Sequence, residues 1–516
     1  NHGAITADGG RVVMTAKSAN ALMDTVINQQ GIVKAQGLVE RNGEIILDGG
    51  DNGTVKVGGS LDTSSPVAQA SPTTTGGHIQ ISGKTIALDS TAKLNASATQ
   101  QGGYVQIGDK QHTEQITLAQ GSSIIADVTE GKAGKVEVFA KMDNGQVNVH
   151  GTVQANAPKQ GDGGFVETSA AKVKVGNTAK ISTKTAKGKQ GKWFIDPFDF
   201  NIGTDITGAA LSAALGSNDV IIQTGATFVN CTGVSCGSGN SAGNGDIFVN
   251  DKVSWTAHTL TLSAFRNINI NADLDGSGTA QLALEYGQGA VAAGNNSNYF
   301  IHAAVNLPQG DNFSTKLGSD GSTVNYAVIT QLGAENSFTA SDLQGIRGVL
   351  SGNYALGANI DASSTNTWNL SGSTYQGFTP IGNLANPFQG RLDGLGHIIS
   401  GLTIDRNNDA VGLFGFSNLA TVQNLGLINV DIIGLSHVGS LIGEEIGTGG
   451  QINNVYASGN VKGENQVGGL VGLNNSSINS SYANVNVIGL SDLGGLVGQN
   501  WGNINNTYAT GDVSST

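Results

Sequence analysis

The sequence has 516 residues, of which 77 are glycine and 7 are proline, and 13% are charged. This composition excludes collagen, because glycine does not recur at every third position, and it argues against disorder, which needs high charge and abundant proline. The net charge of −13 is spread along the chain, which leaves no basic footprint for a nucleic-acid partner.

The composition therefore predicts many short strands joined by tight turns. Glycine supplies the positive φ angles of such turns, and Asn, Asp and Ser supply side-chain turn bonds. No apolar run reaches the roughly 20 residues of a membrane-spanning helix. Residue 1 falls in mid-pattern without a charged and apolar leader, so we expect an internal piece of a processed chain.

The first third of the chain repeats a glycine turn followed by alternating apolar residues. Copies begin at Gly9, Gly76, Gly102, Gly134 and Gly163. Their spacing matches one coil of a β-solenoid, and the apolar alternation predicts a strand in each copy.

The middle of the chain, from 193 to 345, is less regular. An aromatic segment at 193–203 precedes a predicted helix at Gly208–Leu215 and further strands. We expect the solenoid to continue here with loops extruded from its sides, since no linker marks a break.

The two cysteines, Cys231 and Cys236, lie in a Gly- and Ser-rich stretch that we expect to be one of these loops. A local disulfide is the preferred interpretation, because one close pair in a chain otherwise without cysteine suits an oxidising compartment. Two free thiols are the alternative. A metal site lacks further ligands nearby.

The last third, 346–516, shows the clearest repeats. Copies of a Val-Gly-Gly-Leu-Val-Gly pattern lie at 438–443, 467–472 and 493–498. A second signature ends each time at a tyrosine, giving Tyr456, Tyr482 and Tyr508 at intervals of 26 residues. That period is one solenoid coil, so the tyrosines should form one stack, inside or on the wall. The chain as a whole is predicted to be all-β, a parallel β-helix (β-solenoid) with side loops and about 19 coils.

Several stretches resemble a known family. Segments 1–12, 21–35, 161–169 and 193–202 are similar to the two-partner-secretion exoproteins of the filamentous haemagglutinin family. The resemblance covers roughly the first 200 residues, so we interpret 1–192 as haemagglutinin-like β-helix. The C-terminal repeats resemble the GLUG repeats of bacterial surface adhesins and of some surface proteases.

The resemblance implies a right-handed β-helix that is secreted or held at the bacterial cell surface. It also implies an outer-membrane two-partner secretion transporter as export partner, and a carbohydrate or protein receptor as ligand. The family's amino-terminal secretion domain, with its Asn-Pro-Asn-Gly-type motif, is absent from this sequence, and we expect it upstream of residue 1.

Candidate catalytic residues are few. Asp196 and Asp199 flank Pro197, and Asp393 and His397 flank a glycine turn; turn capping is the preferred interpretation of all four. The acidic turn at 48–53 lacks the spacing of a calcium site. No zinc-protease, nucleophile-elbow or phosphate-loop pattern occurs. We therefore predict no catalytic residue, no metal and no cofactor, and the sequence does not identify ligand-binding residues.

These observations predict a non-catalytic adhesin shaft that mediates cell-surface, cell–cell or biofilm-matrix attachment. A passive structural spacer and the shaft of a contact-dependent toxin are the alternatives. A polysaccharide-degrading β-helix enzyme is a less favoured alternative, since its active site would need carboxylates converging on one face.

Overall fold

The computed structural model describes residues 1–16, 26–37, 42–65, 74–225 and 243–516. In these ranges the chain is an all-β, parallel β-solenoid of about 16 turns with 4% helix, which confirms the predicted fold class. It divides into two compact units. The first contains 1–272, 280–300 and 315–323, and the second contains 273–279, 301–314 and 324–516.

Successive turns of the first unit contribute short strands to three parallel ladders, which we call faces 1, 2 and 3. Face 1 consists of Ala4–Thr6, Ile32–Lys34, Ser60–Asp62, Lys93–Asn95, Ser123–Ile125, Thr152–Gln154 and Lys180–Ser182. Face 2 consists of Arg11–Thr15, Glu44–Asp48, His78–Ser82, Tyr104–Gly108, Lys135–Phe139, Phe165–Ser169, Lys192–Asp196, Asp219–Gln223, Thr259–Ser263 and Gln281–Tyr286. Face 3 consists of Ile27–Gln29, Thr54–Val57, Thr85–Leu88, Gln115–Leu118, Gln146–Val149 and Lys172–Val175.

The core of this unit is a set of apolar stacks running from turn to turn. Side chains alternate across a strand, so every second residue points inward. On face 2, Val105 pairs with Ile79 of one neighbouring turn and with Val136 of the other. All three are fully buried. Because the neighbours supply the partners, the apolar face of one turn is buried by the next.

The remaining elements of the first unit depart from this plan. A short parallel ladder joins Phe200–Ile202, Ile247–Val249 and Ile268–Ile270, and a two-stranded ladder joins Glu130–Lys132 and Gln160–Asp162. Val253–Trp255 is a further strand. The helix spans Gly208–Leu215, as the sequence predicts, and the Thr207 side chain caps it by accepting from the Ala210 N–H at 3.2 Å.

The second unit uses longer strands in the same parallel arrangement. Its main ladder consists of Val324–Ile329, Asn353–Leu356, Arg391–Asp393, Thr421–Ile433, Gln451–Lys462, Ser477–Asn479, Tyr482–Gly489, Asn503–Asn505, Tyr508–Ala509 and Val513–Ser515. Two other ladders are formed by Phe414–Ser417, Ile442–Glu445, Val471–Asn474 and Val497–Asn500, and by Ser436–Val438, Asn465–Gly468 and Ser491–Gly494.

Smaller elements complete the second unit. Its short parallel strands are Leu274–Gly276, Val305–Asn306, Ile360–Asp361, Ile398–Ser400 and Thr403–Asp405. An antiparallel hairpin pairs Leu370–Ser371 with Thr374–Tyr375, and 3-10 helices span Gln344–Gly348 and Ser363–Thr367. Two more strands, Tyr299–Ile301 and Gly310–Leu317, include residues of both units.

The C-terminal repeats stack in register. Val467 pairs with Val438 of one neighbouring turn and with Leu493 of the other, and Val471 pairs with Val497. Each residue therefore lies over the equivalent residue of the next copy, which confirms one coil per repeat.

The turns are longer than the sequence suggests. About 16 turns in 516 residues correspond to about 32 residues a turn, against an expectation of about 19 coils. Long connections between consecutive strands of one ladder, such as that between Leu356 and Arg391, lengthen individual turns. The right-handed sense and the three-part division of the sequence remain predictions.

Glycines permit the close approach of neighbouring turns. A Cβ atom on Gly164 would fall well inside the contact distance of the Gly134 carbonyl oxygen, and one on Gly134 would meet the Gly103 carbonyl oxygen in the same way. No larger residue fits without separating the turns.

We expect Gly164→Ala to lower the free energy of unfolding by about 1–3 kcal/mol, because the added methyl group overpacks the space between turns. Denaturant unfolding measures the change. Gly225→Ala is the matched control, since a Cβ there has no heavy atom of the described residues within 4 Å. Equal midpoints for the two variants would show that the glycine row does not set the spacing of the turns.

Candidate functional site

A groove of about 1160 Å³ crosses six successive turns of the first unit, where the chain enters the strands of face 2 from the segments that precede them. Each turn contributes the same short segment to its lining. Its floor is a row of glycines: Gly43, Gly77, Gly103, Gly134, Gly164 and Gly191. Because these residues have no side chains, the floor is bare backbone and the surface is concave.

Aromatic rings and a lysine line one edge of the groove. The His78 ring stacks on the Tyr104 ring, with centroids 4.9 Å apart and planes 8° apart. The Lys135 ammonium lies 5.8 Å from the Tyr104 centroid and 5.5 Å from that of Phe165. Phe165 in turn stacks on Phe194 at 6.5 Å. The edge is thus a continuous series of π and cation–π contacts.

The groove is basic within an acidic chain. Its charged residues are Glu44, Lys132, Lys135, Asp162, Lys189 and Lys192. Glu44 is neutralised by the Arg11 guanidinium at 2.6 Å, and Lys135 forms an ion pair with Glu137. The other three lysines are exposed and form no ion pair with any carboxylate in the described ranges. They are available to an anionic ligand.

The outer side of face 2 carries a network beside the groove. The Tyr104 hydroxyl donates to Glu137, and burial together with that carboxylate raises the pKa of Tyr104. The Lys110 ammonium lies 3.2 Å from the Glu167 carboxylate and 4.5 Å from the Phe139 centroid. The hydrogen bond to Glu137 fixes the position of the Tyr104 hydroxyl.

The structure gives Asp196 and Asp199 separate environments. Burial raises the pKa of Asp196 to about 6. The positive charge of Lys110 lowers this pKa, and the negative charge of Glu167 raises it. One oxygen of Asp199 accepts the backbone N–H groups of 244, 245 and 246 at 2.9, 2.7 and 2.8 Å. Asp199 is therefore a turn cap, as the sequence interpretation has it.

Asp393 and His397 also have structural partners. Asp393 accepts the Leu395 N–H at 2.9 Å and the Asn424 side-chain amide at 3.0 Å. The His397 ring contacts Asn359 at 3.1 Å and the Val305 carbonyl oxygen at 3.0 Å, and burial lowers its pKa. These bonds join neighbouring turns of the second unit.

The predicted tyrosine stack is present and lies on the outer wall. The rings of Tyr456 and Tyr482 lie 5.2 Å apart at 6°, and those of Tyr482 and Tyr508 lie 4.9 Å apart at 1°. Tyr456 and Tyr482 are half-buried and Tyr508 is exposed. At the other end, a Cβ on Gly426 would overlap the Tyr456 ring. Because the ring faces of Tyr456 and Tyr482 cover each other, they offer no stacking surface to a sugar.

Asparagine stacks accompany the tyrosines. The Asn479 amide donates to Asn453 at 3.0 Å, and the Asn505 amide donates to Asn479 at 3.3 Å. Asn486 donates to Asn460 at 3.1 Å. Sequence reasoning missed these bonds, although the same 26-residue period carries the asparagines.

Three of the four tryptophans, whose rings could stack on a sugar, lie in different surroundings. Trp255 is buried in the core, Trp368 stacks on Phe378 at 6.4 Å, and Trp501 is 71% exposed. Cys231 and Cys236, with their proposed disulfide, lie outside the described residues. In the parts of the chain that the structure describes, no three His, Cys, Asp or Glu residues group as metal ligands. Nor do those parts contain a helix with the length and apolarity to cross a membrane.

Comparison with known proteins finds two partial matches. Residues 489–514 match the family described as the GLUG motif. The chain carries a GLUG motif, as predicted. It is also 44% identical over 124 residues to Halomucin of Haloquadratum walsbyi, an alignment that covers 23% of this chain and 1% of that protein. The chain thus spans a very small part of this relative. The resemblance to the filamentous haemagglutinin family remains a prediction.

Replacing the central tyrosine should cost more stability than replacing the terminal one. Tyr482→Ala removes two ring pairs, and we expect a loss of about 1–3 kcal/mol in the free energy of unfolding; Tyr508→Ala removes one and should cost about half as much. Denaturant unfolding of both variants checks this ratio. Equal losses would mean that ring stacking does not stabilise the repeats.

Proposed function

We propose that this chain is the shaft of a secreted, non-catalytic adhesin that holds a linear anionic glycan along the groove of its first unit. The observation that carries the proposal is the row of unpaired lysines beside stacked rings in a chain of net charge −13. Because the groove is basic and the chain as a whole is acidic, an extended anion is attracted to the groove.

The repetition of the groove favours a polymer over a compact ligand. Neighbouring turns lie about 4.8 Å apart, so the same backbone floor and a similar edge recur along the groove. Apolar sugar faces can pack on half-buried rings such as Phe165, while lysine ammonium groups attract carboxylate or sulfate as point charges. Many weak contacts along one chain then add to a useful affinity.

The comparisons support a location outside the cell. The GLUG motif and the partial likeness to a protein named halomucin are consistent with a secreted or surface protein. Export through an outer-membrane two-partner transporter, and association with the outer membrane, follow from the haemagglutinin resemblance and are part of the proposal.

The surroundings of the candidate acidic residues favour a function in binding over one in catalysis. Asp199 and Asp393 accept several hydrogen bonds from backbone and side-chain donors, which stabilise turns. Neither lines the groove; of the two carboxylates that do, Glu44 is paired with Arg11 and Asp162 accepts the Lys189 N–H at 2.8 Å. General acid–base chemistry needs a carboxyl group within hydrogen-bond reach of the bound substrate.

The test is binding of the full chain to alginate, a polyuronate, and to neutral dextran. Replacing Lys132, Lys189 and Lys192 together by Gln should weaken alginate binding about tenfold, because exposed ion contacts contribute about 0.5 kcal/mol each. Added salt should weaken the wild-type complex more than the variant complex.

The control replaces three exposed lysines outside the groove, Lys93, Lys172 and Lys180, by Gln. It changes net charge equally and should retain most of the affinity. Equal losses in both triple variants would leave only non-specific charge attraction. Failure of the wild-type chain to bind alginate would reject the glycan proposal and favour the passive spacer.

A further inference from the structure

The second unit contains a separate pocket of about 360 Å³. Its walls come from the segment around Gln344–Gly348, from residues 379–383 and from residues 406–411. The pocket is far smaller than the groove of the first unit, and its volume suits a single small ring.

Two arginines line this pocket. The Arg347 guanidinium carbon lies 4.4 Å from the Phe338 ring centroid, in cation–π geometry. Its Nη1 atom is buried and has no hydrogen-bond partner among the described residues. A buried charged donor left without an acceptor is costly, so this atom is a place where a ligand oxygen would add stability.

Arg406 also lines the pocket and has a different role. Its guanidinium donates to the Phe378 carbonyl oxygen at 3.1 Å and to the Thr379 hydroxyl at 2.9 Å. It thereby holds the 376–379 segment that forms one wall. All of its hydrogen-bond acceptors in the described residues are neutral, so its charge remains uncompensated.

The two positive charges act on each other. Burial lowers the pKa of Arg406, and the charge of Arg347 lowers it further. The acidic residue of the lining is Asp409, which accepts the Ser436 N–H at 3.2 Å and forms no ion pair with either arginine in the described ranges. A pair of cations without a counterion, in a chain of net charge −13, is an arrangement that an anion would stabilise.

The rest of the lining is suited to a sugar. Phe338, which is 59% exposed, and Phe416 supply apolar ring surface, and Pro380 and Leu350 extend it. Asn383 and Asn408 also line the pocket and can exchange hydrogen bonds with hydroxyl groups. Apolar walls with a few polar groups are typical of small-ligand sites.

We propose that this pocket binds an acidic monosaccharide unit, with the ligand carboxylate on Arg347 and Arg406 and the ring against Phe338. A planar guanidinium fork matches a carboxylate in two parallel hydrogen bonds. The unit could be the end of a glycan or a free sugar acid, since both present the same carboxylate and ring. This site is distinct from the groove and does not rest on the groove's function.

The test uses calorimetric titration of the full chain with methyl glucuronide, methyl glucoside and acetate. Glucuronide and glucoside differ only in the carboxylate, and acetate carries the carboxylate without the ring. We expect glucuronide to bind about tenfold or more tightly than either of the others. A trisaccharide that ends in glucuronide distinguishes the two sources. If the natural ligand is a glycan end, the trisaccharide should bind at least as tightly as methyl glucuronide; weaker binding would point to a free sugar acid.

Arg347→Gln should abolish the preference for glucuronide, while Arg347→Lys should restore part of it by keeping the charge without the fork. Arg391→Gln removes an exposed arginine outside the pocket and should leave binding unchanged. Circular dichroism verifies that each variant is folded.

Three results would overturn the site: no binding of glucuronide by the wild-type chain, equal affinity for glucuronide and glucoside, or full affinity in Arg347→Gln. Acetate binding as tight as glucuronide would reject the sugar. The fall in alginate affinity caused by the Lys132, Lys189 and Lys192 triple replacement reports on the groove, and these lysines are intact in every arginine variant, so failure of either site is seen separately.

Discussion

In-register hydrogen bonding between consecutive turns is the constraint on which the rest of the molecule depends. At the entrance to face 2, the Tyr104 N–H donates to Gly77 at 3.0 Å and the Lys135 N–H donates to Gly103 at 3.0 Å. The same bond recurs from Phe165. Because each residue lies over its equivalent in the next turn, any residue type that the repeat favours becomes a continuous row.

The candidate functional surfaces form either where equivalent residues stack in register or where long connections interrupt that stacking. Where glycine recurs, as at Gly134 and Gly164, the row is a groove floor; where rings recur, as at Tyr456 and Tyr482, the row is a stack. Regular rows suit extended ligands. The arginine pocket arises where turns carry long excursions, and an irregular lining suits a single compact ligand instead.

Sequence reasoning succeeded where the period is strict. The 26-residue repeat predicts that Tyr456, Tyr482 and Tyr508 meet, because a constant period places equivalent residues on one line. It could not predict the groove, since the register of turns with variable length must be known before Lys132 and Lys189 can be placed along one groove. Arg347 lies in a segment where the sequence shows no repeat, so the repeat period could not predict that it shares a pocket with Arg406.

The most direct test of the account is a crystal structure of the chain with an alginate oligosaccharide. We predict sugar density that runs along the groove from turn to turn, with rings near Tyr104 and Phe165 and carboxylates near Lys132 and Lys192. Sugar bound on another face of the first unit, or lying across a single turn there, would contradict the claim that stacked turns create an extended binding site.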